Sequence, residues 1–180
     1  MQLTKKDQKS IKLLFDNLMT LCSDDNNTFF FVDTTSSMQS KFRIFSYYIA
    51  SYSEWLKPDA LECRGIMFEL DDNNNPIRIA ARPPKKFFNL FENPFTENIK
   101  DDQVGLAFKK EDGSLISSFI DKGEVFLKSK GSLFSQQVLD AQKWLYDERR
   151  KPLLDCLKWY AENDITINME WVSPDNRVVL

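Results

Sequence analysis

Residues Phe108 to Ser132 read "FKKEDGSLISSFIDKGEVFLKSKGS": a lysine directly ahead of a Glu-Asp-Gly turn, then a Lys-Ser-Lys-Gly cluster one strand later. Two turn signals, Glu-Asp-Gly-Ser and Asp-Lys-Gly, cut the region into three expected strands, "VGLAFKKED", "SLISSFI" and "EVFLKSK". A solvated β-hairpin and a phosphate-handling pocket are both compatible with that pattern, so the decision rests on what surrounds it.

The surroundings are those of an α+β protein. "KSIKLLFDNLMTLC" sets Ile11, Leu14, Phe15, Leu18, Met19 and Cys22 at helical spacing, so the chain opens with an amphipathic helix. "TFFFVDTT" and "FRIFSYYIAS" are strand-like, and "SYSEWLKPDA" reads as a turn or short helix. "CRGIMFEL" and "PIRIAARPP" flank "DDNNN", a hairpin with a turn rich in Asp and Asn. Apolar positions Val138, Leu139, Trp144 and Leu145, then Leu154, Leu157 and Trp159, suit two packed helices between Leu133 and Tyr160, broken at Pro152. "TINMEWVS", a "PDN" turn and "RVVL" close the chain, the last reading as a strand just begun.

Composition narrows the chemistry. The 180 residues are 42% hydrophobic and 13% aromatic, enough for a packed core. A net charge of −3 excludes a generally basic nucleic-acid coat but allows a local basic pocket between Lys85 and Lys130. Histidine is absent, which excludes Ser-His-Asp and Cys-His nucleophile systems and His-ligated zinc. Cys22, Cys63 and Cys156, odd in number and far apart, read as reduced, buried thiols. No membrane span and no secretory signal are legible, so a cytoplasmic protein is expected.

A lysine that attacks phosphorus must first be neutral. Bringing its pKa from about 10.4 towards neutrality costs roughly 4–5 kcal/mol, which neighbouring cations or a metal ion can supply. Lys110 has Lys86, Lys128 and Lys130 as candidate neighbours. A strand-end position would fix its ammonium group, and Gly113 would let the backbone turn behind it. By itself, Lys-x-Asp-Gly reads more readily as a solvated turn.

The neighbouring blocks change that reading. "LECRGIMFEL", "RPPKKFFNLFENPF", "KKEDGSLISSF", "FLKSKGS" and "NMEWVSPDNRVVL" occur in an order and spacing that closely resembles the T-even phage tRNA-repair RNA ligase family, from about Leu14 to Leu180. The resemblance implies an ATP-dependent adenylation domain acting through a covalent lysine-AMP intermediate. It implies Lys110 as nucleophile, and Tyr47, Arg64, Lys86, Lys130 and Glu170 as nucleotide contacts. Implied ligands are ATP and Mg²⁺, with no metal ligand named. The implied partner is RNA with 5′-phosphate and 3′-hydroxyl ends, such as a nicked tRNA. Arg64 offers a planar fork to phosphate oxygens, and Lys86 a mobile point charge. The competing structural roles are a surface salt bridge for Arg64, a core position for Tyr47, and Arg177 as partner for Glu170.

Residues 1–180 are expected to be part of that domain, without its later acidic motif, its two-lysine strand and its C-terminal helical domain. A split-ligase half completed by a C-terminal half in trans, a truncated product, and a catalytically inactive nucleotide- or RNA-end-binding module all fit. The ligase fragment is favoured, with feeble or no autonomous ligation expected. Phe87, Phe88, Leu90 and Phe91 are read as core rather than as a base-stacking surface, and Lys128 is left undecided.

Overall fold

A computed structural model describes residues 5–24 and 27–174. Helix α1 (Lys5–Cys22) buries Phe15, Leu18 and Leu21 at the spacing expected of one helical face. It packs on a four-stranded antiparallel sheet, β1 (Phe29–Thr35), β2 (Lys41–Tyr47), β3 (Met67–Leu70) and β4 (Pro76–Ala81), paired in that order. A short helix α2 (Tyr52–Trp55) and a 3-10 turn at Ala60–Glu62 carry the chain from β2 to β3.

A second antiparallel sheet has the order β6 (Glu124–Lys128), β5 (Ser114–Asp121), β7 (Asn168–Trp171). Helices α3 (Gln136–Leu145) and α4 (Lys151–Glu162) cover it. The layers therefore run helix, sheet, sheet, helices, an α+β arrangement as expected. Strand β2 has both faces buried: Phe15, Phe45 and Phe68 meet edge to face beneath α1. Its other face sends Phe42 and Ile44 against Phe119 of β5 and Leu133.

Turn chemistry accounts for the hairpins. Asp71 Oδ1 accepts the backbone N–H groups of Asn73 and Asn75 at 2.9 and 2.8 Å, closing the "DDNNN" turn between β3 and β4. Lys122 (φ 47) and Gly123 (φ 85) supply the two left-handed residues that a two-residue hairpin between β5 and β6 requires. Just before that turn, the buried Asp121 carboxylate accepts from Ser36 Oγ at 2.5 Å and Ser40 Oγ at 2.7 Å. That cluster ties the β1–β2 turn of one sheet to the β5–β6 turn of the other.

Four expectations are corrected. Residues 104–112 form no strand. Their alternation is adequate, but they pair with no strand of either sheet, and β5, which follows them, takes β6 on one edge and β7 on the other. The helical stretch divides earlier than expected: α3 ends at Leu145, a 3-10 turn spans Glu148–Arg150, and Pro152 lies in the first turn of α4, where a proline is tolerated. Ala141 replaces Leu139 and Trp144 on the buried face of α3, and Trp159 of α4 is exposed. Cys63 is buried and Cys22 half-buried, but Cys156 is exposed; all three are unpaired. The "PDN" turn and "RVVL" lie outside the described residues beyond Pro174. Among the described residues, no helix is long and apolar enough to cross a membrane.

Asp121→Ala would remove two hydrogen bonds to a charged acceptor and strand two hydroxyls at the sheet–sheet junction. An expected loss of about 2–3 kcal/mol would appear as a lower urea midpoint, with Ser40→Ala alone costing less.

Candidate nucleotide-binding site

The site is assembled where the two sheets meet. Gly65 adopts φ +98, a conformation a residue with a side chain rarely takes, and its hydrogens face the chain leaving β6. A Cβ there would lie 2.6 Å from Lys130 O, so only glycine permits this approach. Gly65 also donates its N–H to Phe45 O at 2.9 Å, so the turn is tied to β2 as well.

Lys128 fastens the same junction from inside. It is fully buried, and its Nζ donates to Gly65 O and Ser129 O, both at 2.7 Å. Burial pushes its pKa down to about 7. A neutral amine has two hydrogens, and two carbonyls receive them. Lys128 therefore does not face the pocket beside Lys130, as strand alternation would have it. Strand β6 ends at Lys128, and the chain turns so that only Lys130 emerges.

Lys130 Nζ lies 3.8 Å from the centre of the Tyr47 ring at the end of β2. Burial, and then the positive charges of Arg64 and Lys86, hold its ammonium below the usual lysine range. Arg64 lies over the Phe87 ring at 4.5 Å, and Lys86 over Phe88 at 4.8 Å. Among the described residues, none of Arg64, Lys86 or Lys130 forms an ion pair with a carboxylate. Three cations close enough to repel one another, with aromatic faces as their neighbours, form a site suited to a multivalent anion.

A separate ion cluster sets the segment that carries Lys86. Glu62, buried in the 3-10 turn, is bonded by Arg82 at 2.6 Å and Lys85 at 3.2 Å. Burial would raise its carboxyl, but the hydrogen bonds and charges of Arg82 and Lys85 outweigh this and hold it below the usual range. With Lys86 N–H donating to Leu61 O at 2.8 Å, residues 82–86 are held against residues 61–64. Sequence reasoning missed Glu62 and Gly65. The available signal was a lone acid beside apolar residues, two positions before an arginine, facing a later Arg-Pro-Pro-Lys-Lys run.

The other two candidate residues belong to the second sheet and to the segment that leads into it. Lys110 is exposed in the irregular segment before β5, with its Nζ 3.5 Å from Glu111 O. Three residues on, Gly113 packs against β7 so closely that a Cβ would lie 3.1 Å from Glu170 Cγ and collide with the Trp171 carbonyl. Close approach, rather than a left-handed turn, is thus what requires Gly113. Glu170 is exposed on β7, opposite Leu115 of β5. Arg177, its alternative partner, lies outside the described residues. The structure therefore gathers Tyr47, Arg64, Lys86 and Lys130 at one place and sets Glu170 beside the anchor of the Lys110 segment. No hydrogen bond or ion pair joins the two groups among the described residues.

Comparison with known proteins bears on the same stretch. The family model described as RNA ligase matches residues 62–180. A protein of Thermovibrio ammonificans, named as a candidate RNA ligase, is 30% identical over 122 residues. That similarity covers 66% of this chain and 30% of the relative, so the chain spans well under half of the relative's length.

The buried Lys128 carries a signed pH dependence. Between about 7 and its ordinary 10.5, the unfolded chain holds a proton that the folded chain lacks. Wild-type stability should therefore rise with pH across that window relative to Lys128→Met, by at most roughly 1.4 kcal/mol per pH unit. Urea unfolding of both proteins from about pH 7 to about pH 9.5 measures the difference; parallel curves would show that the buried amine keeps its charge.

Proposed function

We propose that this chain, which belongs to the RNA ligase family, carries out ATP-dependent nucleotidyl transfer to RNA ends with Lys110 as nucleophile. The observation that carries the reading is the cluster of Arg64, Lys86 and Lys130 beside Tyr47, none of which pairs with a carboxylate among the described residues. A triphosphate is an anion of matching valence. Arg64 would bind its oxygens through a planar fork, while Lys86 and Lys130 supply point charges.

In the proposed first step, the neutral Lys110 amine attacks the α-phosphorus of ATP. A nitrogen–phosphorus bond forms, the bond to the bridging oxygen breaks, and pyrophosphate leaves with that electron pair. The amine loses a proton and a lysine-AMP phosphoramidate remains. An oxygen of an RNA 5′-phosphate then displaces Lys110 from the AMP. A 3′-hydroxyl finally displaces AMP and seals the strand. Charge developing on the leaving pyrophosphate falls to the three cations, each fixed before the reaction starts.

Glu170 would accept from the ribose hydroxyls of the nucleotide, a role compatible with its exposure beside the Gly113 anchor. Among the described residues, no three acidic or cysteine side chains converge to hold a metal ion. Mg²⁺ would accordingly arrive with the ATP phosphates, whose oxygens would be its ligands. RNA with 5′-phosphate and 3′-hydroxyl ends, nicked tRNA included, is the proposed substrate, and the cytoplasm the proposed location. Residues 1–180 are proposed as part of an adenylation domain, with a C-terminal ligase half in trans as completing partner.

Intact-protein mass spectrometry after incubation with ATP and Mg²⁺, with and without a separately expressed C-terminal half, tests the chemistry. The expected result is a gain of one AMP, mapped to Lys110 and absent from Lys110→Ala. That variant should keep its urea midpoint, because Lys110 is exposed. AMP retained on Lys110→Ala would remove the nucleophile assignment. Arg64→Ala and Lys86→Ala should each weaken ATP binding by roughly tenfold, the loss of one charge-assisted contact. Unchanged affinity in both would remove the phosphate roles.

A further inference from the structure

Beside the cationic cluster, residues 86–93 fold back over the end of β2 and the start of α2. They leave an open cleft of about 370 Å³. Its walls are aromatic, formed by Tyr47, Tyr48, Tyr52, Trp55 and Phe88, with Lys86 among them. The rings brace one another. Trp55 meets Tyr47 edge to face at 4.7 Å, Phe88 stacks on Phe95 at 5.2 Å, and Tyr52 meets Phe95 at 5.1 Å.

Tyr48 is 66% exposed yet fixed, because its other face stacks on Phe30 at 4.2 Å. The expectation that "KFFNLF" is core holds only for Phe88. Phe87 is 57% and Phe91 67% exposed, and Leu90 is open as well. Phe91 also sits at φ 62, a conformation in which a bulky residue is strained; such strain collects at functional sites. The turn it makes sets Glu92 and Asn93 into the cleft wall. Glu92 accepts the Asn89 N–H at 2.6 Å, and Asn93 Oδ1 accepts that of Phe95 at 3.0 Å.

Fixed, solvent-open aromatic faces beside a cation that pairs with no carboxylate among the described residues are what a nucleobase and its phosphate require. The Glu92 carboxylate repels phosphate, which leaves Lys86 as the phosphate end of the cleft. We propose that this cleft binds one nucleotide of single-stranded RNA, its base against Tyr48 and Tyr52 and a backbone phosphate on Lys86. The choice of RNA as the polymer rests on the ligase reading, but nothing in the cleft depends on Lys110.

The test is fluorescence anisotropy with a fluorescein-labelled octaadenylate RNA, run beside ATP labelling of the same proteins. Base stacking is worth roughly 1–3 kcal/mol per base, so Tyr48→Ala should weaken RNA binding roughly 5- to 150-fold. Tyr48→Phe should bind as wild type, which also shows that the site tolerates substitution. Lys86→Ala should weaken binding and flatten its dependence on salt. Lys110→Ala should bind RNA as wild type.

RNA affinity of Tyr48→Ala within about twofold of wild type would overturn the proposal. So would loss of AMP labelling with RNA affinity intact, which would assign the cleft to the base of ATP. A wild-type chain that acquires AMP but does not bind the octamer loses the cleft alone. One that binds the octamer through Tyr48 and never acquires AMP keeps the cleft and loses the ligase chemistry.

Discussion

Two hydrogen bonds from one buried amine fix the geometry on which the proposed site depends. Each sheet has its own helix-backed core, and between the sheets Phe42 and Ile44 pack on Phe119 and Leu133 while Ser36 and Ser40 bond Asp121. Lys128 Nζ, donating to Gly65 O across the junction and to Ser129 O beside it, fixes the local geometry at the point where Arg64 and Lys130 emerge. Arginine could not serve there: it stays charged, and its fork needs more acceptors than two carbonyls. Gly65 completes the constraint, since any side chain would push Lys130 away.

Around that junction the basic residues divide into two sets. Arg82 and Lys85 pair with the buried Glu62 and fix the backbone of the Arg-Pro-Pro-Lys-Lys run. Arg64, Lys86 and Lys130 lie against aromatic rings and, among the described residues, pair with no carboxylate. The first set uses electrostatics to hold shape, and the second leaves it open to a ligand. The Lys110 segment is held by other means. A glycine pressed onto β7 anchors it three residues downstream, and the lysine itself remains on an exposed tether. In the proposed reaction such a tether would let the amine reach towards a nucleotide without disturbing either sheet.

Much of the fold was legible in local chemistry. The helical spacing of Phe15, Leu18 and Cys22, the Asp71 turn and the Lys122-Gly123 hairpin each depend on a few adjacent residues, and each formed as read. Readings that depended on distant neighbours failed. Residues 104–112 alternate like a strand, but a strand exists only where another strand pairs with it, and none of either sheet does. Lys128 could not be decided between pocket and surface, because the acceptor that buries it at the junction, Gly65 O, lies 63 residues away in sequence. Phe87 and Phe91 looked like core because apolar residues usually are; Pro83, Pro84 and the left-handed Phe91 keep that segment from lying down on a sheet. Tyr47, Arg64, Lys86 and Lys130 were named from the sequence by family resemblance. Their convergence could not be named, because it arises from the stacking of two sheets.

The unneutralised cluster has a consequence for how the molecule is handled. The protein is acidic overall, with a sequence pI near 5.1, and a net-charge argument would assign it to an anion exchanger. Its surface is instead electrically lopsided. Arg64 and Lys86 lie near enough to Lys130 to lower its pKa, and at a Debye length of about 10 Å in 0.1 M salt such near neighbours are only partly screened. An immobilised polyanion such as heparin would capture the molecule by that corner while the rest of its surface is repelled. Adventitious polyphosphate or nucleic acid carried through lysis would be held in the same way, and would have to be stripped before any ligand measurement had a true zero.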